Sequence, residues 1–371
     1  MQTLSDAESS VGGRRWAWEP LQPTTLSTHR APSIQDVAVA AGVSTATVSR
    51  VLNSPHLVSA ETAERVRQAI EQLGYRPNIF AQGLMTRKSR VLGLALPDIH
   101  GEFYSELLRG ADAEARKLKY HLLVGTESRQ SDANHRSDAS GFAHAFGLID
   151  GLAIMITEPN EKLLKEAVGS QLPVVVLDTE VLQTGVDSVL VDNASGMREA
   201  VEHLLGATSG GHLYFVGGPQ ENFDTRRRAE TFGEVLKARG ITPRAEQIAY
   251  GDYSFDWGFS WGMKHLHNGA LTGAGPGGIG VLAGNDEIAL GVLRAAQDVG
   301  VDVPRTLKIV GFDDTRVASL VRPRLSTVRV PLAEVGAAAI DALVRRIEEP
   351  TRAGAVTRLA TRLIIRESSG G

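Results

Sequence analysis

Residues 33–53, SIQDVAVAAGVSTATVSRVLN, have the pattern of two short helices joined by a tight turn. Ser33 can cap the first helix, because its hydroxyl can accept a hydrogen bond from an unpaired N–H of the first turn. Small or branched apolar residues then recur at the spacing of one helical face: Ile34, Val37, Ala38 and Ala41. Gly42 follows, and glycine adopts the positive φ of a helix end at little cost. The stretch predicts a helix–turn–helix.

The second helix of this pattern places its polar side chains on the outside. Ser44 can cap it, and Val48, Val51 and Leu52 turn inward. The outer face carries short side chains, one arginine and no acid: Thr45, Ala46, Thr47, Ser49, Arg50 and Asn53. Such a face fits the floor of a DNA major groove. An ordinary helical hairpin in a larger core has the same spacing, so spacing alone leaves both interpretations open.

The distribution of charge favours the DNA-binding interpretation. The chain has 371 residues and a formal net charge of −4. Residues 31–90, however, carry seven basic residues against four acidic ones, residues 1–30 are balanced, and residues 91–371 hold the acidic excess. A basic head on an acidic body is typical of a small DNA-reading module attached to a domain that does not bind DNA.

A third helix and a linker complete the basic region. The helix between Ser59 and Gly74 closes a minimal three-helix core within residues 31–76. Residues 77–90 then carry a short apolar stripe that includes Leu84. By itself this stripe favours a linker. The alternative is a hinge helix that pairs with its twin across a dimer and inserts Leu84 into a DNA minor groove, where an apolar wedge unstacks a base step.

Composition excludes several classes of protein. The chain has no cysteine, which rules out disulfides and thiolate sites and fits a reducing cytoplasm. No apolar run is long enough to span a bilayer, and residues 1–30 lack the apolar core of a secretory signal. We therefore expect a cytoplasmic protein without a membrane partner, with residues 1–30 as a disordered tail.

From Val91 onward, apolar strands alternate with amphipathic helices. The strand candidates are residues 91–96, 121–124, 152–156, 174–177, 213–216, 279–283 and 307–310. The helix candidates are residues 102–117, 194–205, 226–238, 286–299 and 332–348. Alternation with nearly continuous apolar strands predicts parallel sheets covered on both faces. The length of this region favours two such sheets.

The motifs of enzymes are missing. Residues 273–278, GAGPGG, match the dinucleotide pattern G-x-G-x-x-G, but they contain a proline and precede a strand, so we interpret them as a loop. The sequence has no P-loop, no H-E-x-x-H and no G-x-S-x-G, and its ten histidines lack ligand spacing. We predict no enzymatic activity, no cofactor and no metal site.

The motifs taken together resemble the lactose/galactose repressor (LacI/GalR) family. The head resembles it through DVAVAAGVSTATVSRVLN, VSAETAERVRQAIEQLGYRPN and AQGL, and the body through LPDI, VGGP, LAGNDEIALG, VGFDDT and PRLSTVRVP. The resemblance runs from about Ser33 to Arg366 in the family's order. It departs at His100-Gly101-Glu102, where the family usually has Asn-Pro before an aromatic pair, and at Thr231, which replaces a glycine.

The resemblance implies an α/β fold with a helix–turn–helix headpiece (residues 31–76), a hinge helix (77–90) and a body like a type I periplasmic binding protein (91–366). The body would consist of two doubly wound parallel sheets joined by three crossovers. The implied subdomain 1 covers about 91–190 and 331–350, and subdomain 2 covers about 191–330 and 353–366. Ligands of open α/β sheets bind at the carboxyl ends of the strands, and two such edges would face one cleft.

The resemblance also implies which residues contact DNA. Thr45, Ala46 and Arg50 match positions that read bases, and the fork of Arg50 can hold guanine O6 and N7. The remaining matches contact the DNA backbone or bases, or form the minor-groove wedge: Ser33, Ser44, Thr47, Ser49, Asn53, Leu57 and Leu84. A homodimer on palindromic operator DNA follows.

The resemblance further implies a small-molecule effector site in the cleft. The matching residues are Phe103, Tyr104, Asp178, Asn222, Asp224, Arg228, Tyr253, Asn285 and Asp313. Carboxylates, amides, an arginine and an aromatic platform suit a polyol, since each hydroxyl both donates and accepts. Packing in the core is the alternative role for Phe103 and Tyr104. We expect a sugar effector; a nucleobase or another metabolite is the alternative.

These observations predict an allosteric transcriptional regulator, a repressor in the first instance. One alternative is a purine-type regulator, whose effector strengthens DNA binding. The other is a solute-binding protein that never meets DNA.

Overall fold

The structure is a computed structural model that describes residues 32–76, 88–126, 143–157, 162–181, 185–208, 212–267 and 277–371. The chain divides into two compact units, residues 1–78 and residues 79–371. The predicted tail, residues 1–30, and most of the predicted hinge helix, including Leu84, lie outside the described residues.

Within residues 32–76, the first unit contains three α-helices: α1 (Ile34–Ala41), α2 (Thr45–Asn53) and α3 (Ala60–Leu73). Ser33, Ser44 and Ser59 cap them as predicted, each accepting a backbone N–H of the first turn. Gly42 and Gly74 end α1 and α3 in the left-handed conformation, with φ of 65° and 61°. The helix–turn–helix prediction is therefore confirmed at its caps and its turns.

The core of this unit is small and made of short side chains. Its buried members are Val37, Ala38, Ala41, Val48, Val51, Ala63, Val66 and Ala69. Small residues let the three helices approach one another closely, but they bury little apolar area.

The second unit contains two six-stranded sheets. The strands are β1 (Val91–Leu96), β2 (His121–Thr126), β3 (Gly151–Met155), β4 (Val174–Leu177), β5 (Val186–Val191), β6 (Leu213–Gly217), β7 (Ile248–Tyr250), β8 (Ile279–Ala283), β9 (Leu307–Asp313), β10 (Ser326–Arg329), β11 (Val356–Leu359) and β12 (Arg362–Ile364). The first sheet has the order β11-β5-β4-β3-β1-β2 and the second β12-β10-β9-β8-β6-β7. Every pair is parallel except β10 with the edge strand β12.

Helices cover both faces of each sheet. They are α4 (Gly101–Lys117), α5 (Lys162–Gly169), α6 (Asn193–Ala207), α7 (Phe223–Ala238), α8 (Phe255–Leu266), α9 (Asp286–Asp298), α10 (Arg316–Leu320) and α11 (Leu332–Glu348). The first sheet packs against α4 and α11 on one face and α5 on the other, and the second packs between α8 with α9 and α6 with α7. No helix among the described residues is long and apolar enough to cross a membrane.

Glycines allow α4 and α11 to pack with their backbones in contact. A Cβ placed on Gly110 would lie 1.8 Å from the carbonyl oxygen of Ala333, and one on Gly336 would lie 2.1 Å from that of Leu107. No residue with a side chain fits either position. This close contact holds α11, which returns from the second sheet, against the first.

The chain passes between the sheets three times, as predicted. The passages lie at Asp192, at Val330-Pro331 and at Ala360-Thr361. Hydrogen bonds tie them together, since Asp192 N–H donates to Leu359 O at 2.9 Å and the Thr361 hydroxyl donates to Asp192 O at 2.7 Å. One boundary is wrong: residues 356–359 pair with β5 in the first sheet, so the last segment of subdomain 2 begins near 362 and not at 353.

A buried ion pair explains this return to the first sheet. Arg346 and Asp187 are 2% and 1% exposed, and two guanidinium nitrogens of Arg346 donate to the Asp187 carboxylate at 2.8 and 3.1 Å. The same carboxylate accepts the N–H of Ala355 at 2.7 Å, immediately before β11. The pair therefore fixes the end of α11 and the start of β11 to β5.

Candidate functional site

The outer face of α2 is open to solvent. Thr45, Ala46, Arg50 and Asn53 are exposed, and the other predicted contacts on this helix, Thr47 and Ser49, are half-buried. The guanidinium of Arg50 has no hydrogen-bond or ion-pair partner among the residues that the structure describes. Asn53 Nδ2 donates to Ser49 Oγ at 3.3 Å. An unpaired arginine at the centre of a polar face is available to a ligand outside the chain.

Two of the predicted DNA-contacting residues outside α2 already form hydrogen bonds within the protein. The Ser33 hydroxyl donates to the Asp36 carboxylate at 2.7 Å and also accepts the Asp36 N–H, so a phosphate contact by Ser33 would need this bond to be exchanged. The Ser44 hydroxyl accepts the Thr47 N–H at 3.2 Å. Leu57, in the short turn after α2, is 67% exposed.

All nine predicted effector residues line one cleft of about 490 Å³ in the second unit. They reach it from both sheets. Phe103 and Tyr104 lie at the start of α4, and Asp178 follows β4. The second sheet supplies the others, from the start of α7, the loop before α8, the end of β8 and the end of β9: Asn222, Asp224, Arg228, Tyr253, Asn285 and Asp313. The cleft therefore lies at the carboxyl ends of strands, as predicted.

Arg228 is the buried centre of the cleft floor, with 3% exposure. Its Nε donates to Asn193 Oδ1 at 2.8 Å, one terminal nitrogen donates to Gly284 O, and the other lies 3.3 Å from Asp224. Its guanidinium carbon lies 3.7 Å from the centre of the Phe312 ring, a cation–π contact. Burial lowers the pKa of Arg228, but Asp224 and the other nearby acidic groups outweigh it and leave that pKa raised.

Three of the predicted ligand residues are largely occupied within the protein. Asn222 caps α7 by accepting the Thr225 N–H at 3.0 Å, and Asn285 caps α9 by accepting the Ile288 N–H at 2.9 Å. The Tyr253 hydroxyl bonds to Thr225 at 2.6 Å and to Asn222 at 3.1 Å. These bonds orient the Tyr253 ring and occupy the amide oxygens of Asn222 and Asn285, so these two residues offer an effector mainly their amide N–H groups.

The Tyr253 ring is a platform with one face covered. A Cβ on Gly218 would lie 2.6 Å from that ring, so the backbone at Gly218 packs directly against it. Burial raises the pKa of the Tyr253 hydroxyl, which keeps it a neutral donor. Tyr253 also lines the cleft, where a ring-shaped ligand can contact an aromatic side chain.

Asp178 and Asp313 are the acceptors that the protein leaves open. Both have positive φ, 66° and 114°, at the ends of β4 and β9. Neither carboxylate accepts a hydrogen bond from any residue in the described part of the chain, although Asp313 is only 6% exposed. Burial raises the pKa of both groups well above the usual range, and Arg228 opposes this rise.

Sequence reasoning missed Asp286 as a site residue. It is 1% exposed and accepts hydrogen bonds from the Thr327 hydroxyl at 2.6 Å, the Thr315 N–H at 2.8 Å and the Thr315 hydroxyl at 2.9 Å. Burial raises its pKa to about 7, against the effect of these bonds. Its position directly after Asn285, in the first turn of α9, was the available signal.

Three contacts join the two walls of the cleft. The carboxylate of Glu102, at the start of α4, accepts the backbone N–H of Arg316 in α10 at 2.6 Å. The N–H of Phe223 donates to Thr157 O at 3.0 Å. Phe103 packs against the apolar clusters of both sheets. The sequence singled out Glu102 only as a departure from the family pattern.

Models of known protein families match both units of the chain. A model described as "Bacterial regulatory proteins, lacI family" matches residues 33–78, and one described as "Periplasmic binding protein-like domain" matches residues 201–369. Catabolite control protein A of Priestia megaterium is 32% identical over 338 residues, which are 91% of this chain and 99% of the relative. The protein of the same name from Staphylococcus xylosus is 34% identical over 320 residues, covering 85% of this chain and 93% of the relative.

Two solved structures extend the comparison to the fold. The lac repressor dimer bound to operator and the anti-inducer ONPF has a TM-score of 0.79 and 27% identity, covering 92% of this chain and 99% of that chain. The complex of the transcriptional regulator CelR with cellobiose has a TM-score of 0.66 and 26% identity, covering 91% and 99%. The predicted family and fold are confirmed, and the helical hairpin and the solute-binding protein are excluded.

A headpiece with an open polar helix and a two-sheet body with a polar cleft thus occur in one chain, in the order of these regulators. The chain belongs to the LacI family of bacterial regulatory proteins, and it is a DNA-binding transcriptional regulator.

Proposed function

We propose that this regulator is a repressor, acts in the cytoplasm, binds a palindromic operator as a homodimer, and is controlled by a sugar in the cleft. The observation that carries the sugar assignment is the polar floor around Arg228, with two open carboxylates at its sides and the Tyr253 ring beside it. Hydroxyls donate to carboxylates, and sugar rings stack on aromatic faces. The likeness to the CelR–cellobiose complex supports this assignment.

In this proposal α2 lies in the major groove and Arg50 reads a guanine. Thr45 and Ala46 begin the helix and offer one hydroxyl and one methyl group, so Arg50 carries most of the direct readout. Thr47, Ser49, Asn53, Ser44 and Leu57 contact backbone or base, and Leu84 wedges the minor groove. The likeness to the lac repressor dimer on operator supports the two-fold arrangement.

Control would follow from the three contacts that join the walls of the cleft. A sugar held by Asp178 on one sheet and by Asp313 on the other favours the orientation in which these walls touch. That orientation would set the spacing of the two hinge segments and so the affinity for operator. Couplings of this kind are typically about 1–3 kcal/mol.

Selection from a random duplex library with the full-length protein tests the DNA part. We expect enriched sequences with two related half-sites and a guanine at one fixed position of each, and a dimer in sedimentation on the selected duplex. Enrichment of single, unrepeated sites would contradict the dimeric operator complex. Two half-sites without a fixed guanine would contradict only the role of Arg50.

A further inference from the structure

The predicted hinge segment, residues 77–90, joins the body at its last three residues. Lys88, Ser89 and Arg90 are the part of this segment that the structure describes, and β1 begins at Val91. The chain that connects the headpiece to the body passes through this point. Its position therefore limits where the headpiece can bind.

One carboxylate holds this point. The Oδ1 atom of Asp150 accepts the Ser89 N–H at 2.6 Å and the Ser89 hydroxyl at 2.9 Å, and its Oδ2 atom accepts the Arg90 N–H at 2.9 Å. The Ser89 hydroxyl in turn accepts the Val91 N–H at 3.1 Å. Hydrogen bonds to a charged acceptor are about twice as strong as neutral ones. Asp150 thus binds two consecutive backbone N–H groups from 60 residues further along the chain.

Arg90 is restrained by other contacts as well, because its backbone is in the left-handed region. Its φ is 57°, a value that residues other than glycine, asparagine and aspartate rarely adopt. Its carbonyl oxygen accepts the His121 N–H at 2.8 Å, and its guanidinium carbon lies 5.1 Å from the centre of the Tyr120 ring. Such a conformation persists only where the surrounding structure holds it. The chain therefore enters β1 through one fixed turn.

The base of this anchor belongs to the packed first sheet. Asp150 directly precedes β3, and its N–H donates to Val91 O at 2.8 Å. A Cβ on the next residue, Gly151, would lie 2.9 Å from Leu343 Cδ1, so the backbone there packs tightly against α11. The carboxylate of Asp150 therefore has a fixed position relative to the core of the body.

The length of chain that the anchor fixes is comparable with the spacing of base pairs. One residue spans at most about 3.3–3.6 Å, so release of Ser89 and Arg90 would let the preceding chain move by up to about 7 Å. Neighbouring base pairs lie about 3.4 Å apart along the DNA axis. In a two-fold dimer, such a movement is enough to reach half-sites that are displaced by about one or two base pairs.

We propose that Asp150 is a specificity-determining residue for operator binding: by fixing Ser89 and Arg90, it sets the spacing of half-sites that the dimer accepts. Asp150 acts through the position of the chain and not through contact with DNA, so it is a positioning residue. The inference rests on the proposed dimeric operator complex and deepens it, since it names the residue that decides the spacing.

The test is a set of operators that differ only in spacing. The selected operator is compared with duplexes in which base pairs are inserted or removed between the half-sites, at one salt concentration. We expect the affinity of the full-length wild type for the respaced duplexes to be lower by about tenfold or more, since the half-sites are out of register. A wild type that binds every spacing equally overturns the inference.

Variants of the anchor should tolerate the respaced duplexes better. Asp150→Ala removes every acceptor of the anchor and should reduce the loss of affinity by about threefold or more, since the released chain can follow the displaced half-site. Asp150→Asn keeps one carbonyl oxygen and should lie between Asp150→Ala and the wild type. Ser89→Ala removes only the hydroxyl and tests the same anchor if Asp150→Ala does not fold.

The ratio of affinities for the two spacings separates positioning from a general loss of stability. A destabilised body would weaken binding to all spacings alike and leave this ratio unchanged. The matched control is Asp302→Ala, which removes a carboxylate that accepts the Arg305 N–H at 3.2 Å in the turn before β9, and it should keep the wild-type ratio. Wild-type ratios in Asp150→Ala and Ser89→Ala overturn the inference and leave the operator complex standing. A selected site without repeated half-sites contradicts the operator complex, and the inference with it.

Discussion

The outer face of α2 and the floor of the cleft are both built around one arginine, yet these arginines are held in opposite ways. Arg50 is exposed and has no partner in the described part of the chain, whereas Arg228 is 3% exposed and is held by Asn193, Gly284, Asp224 and a phenyl ring. An unpaired side chain can adapt to a groove, and a fully held one fixes the shape of a pocket. Arg50 is thus free to change its conformation on binding DNA, whereas the Arg228 side chain is already held in place before a ligand arrives.

The largest effect that follows concerns Arg228. Arg228→Ala would remove a buried guanidinium and leave the partly buried Asp224 without its cation, and breaking a buried pair in this way costs about 3–5 kcal/mol of unfolding free energy. Urea unfolding of the full-length protein measures this. Arg294→Ala, which removes an exposed pair with Asp298, is the control and should cost about 0–1 kcal/mol. Equal losses in the two variants would mean that the floor of the cleft is not held by Arg228.

Arg50→Ala should leave the stability of the protein almost unchanged but should weaken its recognition of DNA. We expect unfolding free energy to change by no more than about 0.5 kcal/mol, as for other surface positions. Discrimination at one base pair of each half-site should fall by about 1–3 kcal/mol. Competition titrations on the selected operator and its single-base variants measure this. An equal loss of affinity on every sequence would show that Arg50 contacts only phosphate.

The acidic groups of the cleft should make stability depend on pH. The pKa of Asp286 is raised to about 7, so between the pKa of an unfolded aspartate and about pH 7 the folded state holds a proton that the unfolded state has lost. Stability from this group is therefore present at low pH and is lost as pH rises through that range. Asp178 and Asp313 act in the same direction.

Asp286→Asn isolates that contribution. From pH 5.5 to 8 the wild type should lose about 2 kcal/mol more unfolding free energy than the variant, because the variant lacks the proton that Asp286 releases in this range. Urea unfolding at the two pH values gives both differences. Parallel losses in the two proteins would contradict the assignment of this titration to Asp286.

The smallest effect concerns the contact between the cleft walls. Glu102→Ala removes the acceptor for the Arg316 N–H, and a hydrogen bond to a charged, partly exposed group is worth about 1 kcal/mol. We expect the sugar-dependent change in operator affinity to fall severalfold, whereas Glu102→Gln, which keeps an acceptor, should retain most of it. Glu106→Ala, which breaks an exposed pair on the same helix, is the control. If Glu102→Ala behaves like Glu106→Ala, the contact does not couple the walls.

Much of the fold could be predicted from the sequence, because the spacing of apolar residues and the residues that cap helices decide local structure. The strands Val174–Leu177 and Ile279–Ala283 and the helix Leu332–Glu348 have the predicted bounds. The strand Val186–Val191 was missed, since Asp187 and Ser188 interrupt its apolar run although both are buried. The partner that makes Asp187 acceptable there is Arg346, 159 positions later in the chain, and a local pattern contains no sign of it.

The cleft, too, depends on contacts between distant parts of the chain that a local sequence pattern does not show. The family resemblance named nine residues that the fold brings together, but neither composition nor spacing could have assembled them. The sequence also could not tell which of them are already occupied. Asn222 and Asn285 were predicted as ligand residues and serve first as helix caps, whereas Asp178 and Asp313 remain open. Which carboxylates are paired depends on side-chain distances across two sheets.

The central claim is that a sugar in the cleft changes the affinity of the headpiece for DNA. Fluorescence anisotropy of the full-length protein on its selected operator, with and without the sugar that gives the largest thermal shift, measures this coupling directly. We predict a change in the dissociation constant for operator of about fivefold or more, corresponding to about 1 kcal/mol or more of coupling. A sugar that binds in the cleft at saturating concentration but leaves the operator titration unchanged would contradict the claim.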